Sequence, residues 1–171
     1  INILDKGMHH FADIILKHYG INIKDIPGAG AAGGVGGSLM TVLNANLKRG
    51  IDIILNTINF EKQIEDCNLV ITGEGHIDHQ TMMSKAPSGV LRIAQKKGIP
   101  VIALGGRVTI CEELKNSGFQ DIICITPHSM PIHQAIHPQT ATSNLRNTAI
   151  HIARMLYSEI LNYQQLLSKR F

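Results

Sequence analysis

The segment TGEGHIDHQTMMSKAP, residues 72–87, brings Glu74, His76, Asp78, His79, Gln80, Thr81, Ser84 and Lys85 into one short stretch. Polar groups packed this densely seldom serve a core. They suit phosphoryl transfer, which needs a carboxylate to hold Mg²⁺ or accept a hydroxyl proton, and a fixed positive charge beside the transferred group. Glu74 and Asp78 meet the first need and Lys85 the second. A purely structural reading has Asp78 and Thr81 capping a turn and Lys85 solvated ahead of Pro87. For Lys85 alone the two readings stand level, whereas for Asp78 function is favoured.

A second concentration, PGAGAAGGVGG at residues 27–37, is bare backbone leading into an amphipathic helix. Glycine leaves room for close approach, and the free N–H groups of a helix's first turn attract anions. Gly28, Gly30 and Gly33 spell GxGxxG, and Asp52 stands about where a ribose-binding acid belongs. A true dinucleotide fingerprint follows a buried strand, but Lys24, Asp25 and Pro27 occupy that place. A Walker A loop ends in GK[ST], and the chain has GGSLM. Anion binding and the close packing of two helices explain the glycines equally well.

The elements that must position these groups follow from periodicity. Leu4, Met8, Phe11, Ile14 and Ile15 predict a first helix, with Asp5 placed to cap it. Val35, Leu39, Val42, Leu43 and Leu47 predict a second helix whose apolar face points inward and which ends at Gly50. Residues 51–67 read as two short helices. NLVITGEG reads as a buried strand stopped by Gly-Glu-Gly. Then APSGVLRIAQKKG, IPVIALGG, TICEELKNSG and FQDIICITP alternate helix and strand, the signature of an α/β fold with a parallel sheet and right-handed crossovers. A polar, proline-containing loop at 127–141 precedes a closing helix marked by Leu145, Ala149, Ile152, Ala153, Leu156, Ile160 and Leu161. Ligands of such sheets collect beyond the carboxyl ends of the strands. The loops TGEGHIDHQTMMSKAP, LGGRVT and ITPHSMP therefore face one candidate cleft.

Composition narrows the partners. At 171 residues the chain suits one domain or two small lobes and buries roughly 70% of its unfolded surface. A formal charge of +3 is spread along the chain, and four Phe, three Tyr and no Trp offer little for bases to stack on, which argues against nucleic acid. No apolar run has the length of a membrane span, and no signal peptide is recognisable. Cys67, Cys111 and Cys124 form no CxxC pair, which implies a reducing cytoplasm and small core residues rather than nucleophiles. His133 and His137 are four apart but bracketed by Pro131 and Pro138, and no zinc is expected. His9 and His10 have no evident partner. The chain begins at Ile1 rather than Met, which suggests a processed or excised segment.

Four blocks in order, PGAGAAGGVGG (27–37), LVITGEGHIDHQT (69–81), KAPSGV (85–90) and GIPVIALGG (98–106), resemble the signature blocks of the bacterial glycerate kinase family, the type unrelated to the sugar kinases. LDKGMHHFADII and the closing helix also fit, and the likeness corresponds to the carboxyl-terminal half of a family member. The resemblance implies ATP-dependent phosphorylation of D-glycerate to 2-phosphoglycerate with Mg²⁺. It also implies a discontinuous Rossmann-like domain, with helices on both faces of its sheet, around an inserted second α/β domain. Residues 1–66 would end the inserted domain, and 67–171 would supply the carboxyl-terminal part of the discontinuous one. The amino-terminal half would be the missing partner, leaving a sheet edge unpaired; a homo-oligomer is compatible with the sequence. On this resemblance Asp78, Lys85 and Glu74 are the catalytic candidates, with Asp78 and Glu74 also candidate Mg²⁺ ligands. Gly28, Gly30, Gly33, Gly34, Gly75, Gln80 and Thr81 are the candidates for substrate or phosphate contact. Two residues depart from the family pattern: Ser84 stands where Gly is usual, and His76 where Arg is common. The rival expectation is a non-catalytic nucleotide- or dinucleotide-binding module.

Overall fold

The computed structural model of the chain describes residues 2–83 and 85–168, and of 159–168 the backbone only. Ser84 and the side chains of Ile160 and Leu161 thus lie outside the described residues. The chain divides into two compact units, Ile1–Gly50 and Ile51–Phe171.

In the first unit, α1 (Asn2–Tyr19) and α2 (Ala31–Leu43) pack on each other. The expected apolar face of α1 is only partly used: Ala12 and Ile15 are buried with Ile23 and Ala29, whereas Leu4 is exposed. Asp5 does not cap the helix; it lies in the first turn, 3.9 Å from His9, where its charge favours the helix dipole. Lys24 ties the following loop to α1 through Asp13 at 2.7 Å. The hydrogen bond from Lys24, and then its charge, hold the Asp13 carboxyl below its ordinary value. This exposed pair contributes its small stability above the usual aspartate range and loses it as pH falls through the lowered pKa.

Helix α2 is arranged differently from its sequence expectation. It buries Gly34, Gly36 and Gly37 and leaves Val35, Leu39, Val42 and Leu43 exposed. The glycine face turns inward because only it permits the approach: a Cβ on Gly36 would lie 2.1 Å from the Gly28 carbonyl oxygen. The Gly37 N–H donates to the Ala29 carbonyl at 2.8 Å, closing the loop onto the helix. The helix stops at Leu43, well before Gly50, because Asn44 turns left-handed (φ 50°) and donates its N–H to the Leu39 carbonyl. At the other end Ala32, Gly33 and Gly34 follow one another in left-handed conformation, with φ of 52°, 69° and 97°.

The second unit takes in α3 (Gly50–Thr57) from its second residue and α4 (Phe60–Gln63), the two short helices expected, followed by the alternating elements. These are β1 (Val70–Ile77), α5 (Ala86–Lys96), β2 (Val101–Val108), α6 (Glu112–Lys115), β3 (Asp121–Cys124), α7 (Ile132–Ala135) and α8 (Pro138–Ser168). The strands form a parallel sheet in the order β1-β2-β3, and the outer edge of β1 pairs with no strand among the described residues. Leu55, Ile64, Val70, Leu91, Ala94 and Val101 share one core cluster, and Ile77, Ala103 and Leu114 a second.

Three local expectations fail against this unit. Strand β1 does not stop at Gly-Glu-Gly but stays paired through Glu74↔Gly105, His76↔Arg107 and Ile77↔Val108. Glu74 and His76 are therefore strand residues, not loop residues. The second helix of the alternation shrinks to the single turn α6, and the polar loop contains the turn α7. Of the cysteines expected in the core, Cys67 and Cys124 are exposed, and Cys111 is half-buried against the Ile77, Ala103 and Leu114 cluster.

An alanine at Gly36 should destabilise the first unit by about 3 kcal/mol or more, because backbone must move to admit the methyl group. Ala32→Gly should instead stabilise it by about 0.5–1 kcal/mol, since relief of left-handed strain exceeds the added chain entropy. Urea titration of the two variants checks both signs.

Candidate active site

The paired end of β1 and the turn after it build a charged cluster from three directions. Glu74 stands on β1 in register with Gly105 of β2. Asp78 is the N-cap of a 3₁₀ turn, His79–Met82, and its Oδ1 accepts the Gln80 N–H at 2.9 Å. Lys85 precedes α5, whose first turn carries Pro87, so that helix starts at a fixed φ directly after the lysine. The Lys85 Nζ lies 4.0 Å from Glu74 Oε2 and 3.8 Å from Asp78 Oδ1. Both carboxylates are mostly buried, with side chains 18% and 17% exposed, while the lysine reaches solvent at 39%.

Thr81 holds this arrangement together. It is completely buried, donates its hydroxyl proton to Glu74 Oε1, and accepts the Asp78 N–H at 3.1 Å. One hydroxyl thus fixes both carboxylates, one through its side chain and one through its backbone. Thr81 was a candidate for ligand contact, but its burial and its two engaged partners make it a positioning residue. On the outer side His76 Nδ1 stands 3.7 Å from Asp78 Oδ2, and His76 Nε2 bonds Thr109 Oγ1 at 2.9 Å.

The chemistry open to this cluster follows from its charges. The ammonium of Lys85 is within ion-pair range of two carboxylates but beyond hydrogen-bond distance from either, so among the described residues neither carboxylate takes up its N–H donors, which suit an incoming anion. Asp78 and Glu74 converge on the lysine's position, which suits a carboxylate acting on a hydroxyl proton beside a cationic phosphate ligand. Gly75 and Gln80 lie exposed beside them, Gly75 with open space where a side chain would be.

The other sequence candidates fall elsewhere. Gly28, Gly30, Gly33 and Gly34 belong to the first compact unit and the carboxylates to the second. Within the glycine loop, Gly33 is exposed with nothing within 4 Å of where a Cβ would stand, whereas a Cβ on the buried Gly34 would meet Phe11 at 3.2 Å. Asp52 is spent on an ion pair with Arg92. No strand precedes Gly28 among the described residues. His133 sits on the single turn α7 and His137 beyond it, and no group of three or more His, Cys, Asp or Glu side chains able to hold a metal occurs among the described residues. The residue that sequence reasoning missed is Thr109. Its only signal was its place in LGGRVT, at a strand's carboxyl end.

The sequence profile of the Glycerate kinase family matches residues 1–157. The chain belongs to the glycerate kinase family. It is 41% identical over 154 residues to "Glycerate kinase" of Bacillus subtilis (strain 168), covering 90% of this chain and 40% of that protein. It is 49% identical over 106 residues to "Glycerate 2-kinase" of Escherichia coli (strain K12), covering 62% of this chain and 28% of that one. A solved structure, "Crystal structure of putative glycerate kinase 2 from Salmonella typhimurium LT2", superposes with a TM-score of 0.62 at 32% identity, covering 88% of this chain and 37% of the other. The chain thus spans about 40% of the length of the curated glycerate kinases it matches. The pairing of Asp52 with Arg92, and the absence of a strand before Gly28 among the described residues, leave GxGxxG without the surroundings of a dinucleotide fingerprint.

Replacing Thr81 by Val should cost about 1–3 kcal/mol, because the Asp78 N–H and the Glu74 carboxylate both lose a buried partner. Thr81→Ser should recover most of it. Unfolding midpoints of the two variants separate loss of the hydroxyl from loss of packing.

Proposed function

We propose that this chain is the carboxyl-terminal portion of a glycerate kinase and carries the phosphoryl-transfer residues for ATP-dependent conversion of D-glycerate to 2-phosphoglycerate in the cytoplasm. The observation that carries the reading is the convergence of Glu74 and Asp78 on Lys85 within 4.0 and 3.8 Å at the carboxyl end of a parallel strand, in a member of this family. Asp78 takes the proton of the attacking hydroxyl, Glu74 holds the second negative charge of the cluster, and Lys85 offsets the charge that develops on the phosphoryl oxygens. His76 and Thr109 orient Asp78 from outside.

The donor set fits Mg²⁺. That ion is held by one or two carboxylates with substrate phosphates completing its shell, and Asp78 and Glu74 are two carboxylates already facing one cation. Bound there, Mg²⁺ would neutralise phosphate charge. Taken by itself, the glycine loop of the first unit offers an anion site, for a carboxylate or a phosphate: Gly30 and Gly33 are exposed there, where N–H groups favour an anion. In this reading residues 1–66 end the inserted domain and 67–171 supply the carboxyl-terminal part of a discontinuous Rossmann-like domain, with helices on both sheet faces. The amino-terminal remainder of the fold is the partner. The exposed apolar side chains of α2 and the unpaired edge of β1 are consistent with such a partner.

The experiment is a chimera in which this chain replaces the matching segment of the Bacillus subtilis glycerate kinase. Turnover of ATP and D-glycerate by the chimera is the expected result, and a folded chimera with no turnover would overturn the assignment. Within it, Asp78→Ala should lower kcat by about 100-fold or more with little change in unfolding midpoint. Near-normal turnover would remove Asp78 from the chemistry.

A further inference from the structure

A cavity of about 430 Å³ opens at the carboxyl ends of β2 and β3, beside the carboxylate cluster and separate from it. Arg107 and Thr109 line it from the end of β2, Cys124 from the end of β3, and His128, Met130 and Ile132 from the segment that follows. Its volume lies within the range of small-molecule sites and far exceeds what a three-carbon acid fills. We propose that this cavity is the nucleotide site, taking a nucleoside triphosphate with its base against Met130 and Ile132 and its phosphates along Arg107 and Thr109. The inference rests on the kinase reading for the identity of the ligand, while the site itself stands on the geometry.

Three observations set that orientation. The polar end of the cavity is joined to the catalytic cluster by one imidazole: Thr109 Oγ1 lies 2.9 Å from His76 Nε2, and His76 Nδ1 lies 3.7 Å from Asp78 Oδ2. A phosphate chain at Arg107 and Thr109 thus points toward Asp78 and Lys85. Second, Arg107 is exposed and has no carboxylate within ion-pair distance among the described residues, so its guanidinium fork is unspent and suits phosphate. Third, the apolar end is held in place. Met130 closes a turn through its N–H to the Pro127 carbonyl at 2.9 Å, and the buried Asn144 of α8 donates to its sulfur at 3.5 Å. A thioether fixed at a cavity wall is an adaptable surface for a purine or pyrimidine face.

Cys124 supplies a reporter that does not depend on turnover. The chain is treated with a water-soluble maleimide, and modification of each cysteine is followed by peptide mass spectrometry with ATP, ADP or D-glycerate present. Cys67, exposed and not among the cavity's lining residues, is the internal reference. ATP and ADP should slow Cys124 modification several-fold and leave Cys67 unchanged, while D-glycerate alone should protect neither. Arg107→Gln should raise the ATP concentration needed for protection by about tenfold, as expected for loss of a charge-assisted phosphate contact. Ile132→Trp, which fills the apolar end from an exposed position, should weaken protection without touching the charged groups. Unchanged Cys124 reactivity in millimolar ATP, or protection by D-glycerate and not by ATP, would overturn the proposal. The same measurement on the chimera separates the two readings. Turnover without Cys124 protection retires the cavity and keeps the kinase, whereas protection without turnover keeps the cavity and retires the kinase.

Discussion

Everything at the candidate site depends on β1 and β2 staying paired past the point where glycine would ordinarily end a strand. The pairing is close because glycines face carbonyls across it: a Cβ on Gly73 would lie 2.7 Å from the Leu104 oxygen, and one on Gly106 2.8 Å from the Gly75 oxygen. Glycine is entropically costly in a strand, but here it admits the neighbouring backbone. Because the ladder continues, Glu74 and His76 are held at fixed register opposite Gly105 and Arg107. A loop of the same composition would hold neither.

From that ladder a single buried hydroxyl sets the rest. Thr81 contacts Glu74 through its proton and Asp78 through its oxygen, so the two carboxylates cannot separate without leaving buried polar groups unpaired. Two like charges held close repel, and Lys85 within 4.0 Å of both offsets the repulsion without forming a short hydrogen bond to either. The cluster is therefore positioned by neutral contacts and balanced by a charged one. Its lysine can turn toward an anion without dismantling the frame.

The glycine loop shows two uses of one residue type. Gly36 and Gly37 are consumed by packing, with neighbouring backbone or side-chain atoms 2.1 and 2.7 Å from where a Cβ would be. Gly30 and Gly33 are exposed and impose no such contact. Close packing thus accounts for Gly36 and Gly37 and leaves Gly30 and Gly33 without a packing role. It also explains why α2 turns its aliphatic side chains outward: its glycine face is the only one that fits against α1.

The sequence by itself determined the parallel α/β alternation, since buried strands and amphipathic helices carry their periods locally, and it determined the family through four ordered blocks. It also singled out Glu74, Asp78 and Lys85, because charged groups so close in the chain stand out against an apolar strand. It misjudged the end of β1 and the buried face of α2, where the outcome turns on what lies across from a glycine rather than on the glycine's own preference, and the end of α2, which a left-handed Asn44 sets. Thr81 as the shared anchor, the His76–Thr109 link between residues 33 positions apart, and the cavity beside Arg107 were decided only by tertiary structure. Pairing register brings together side chains that no local pattern relates.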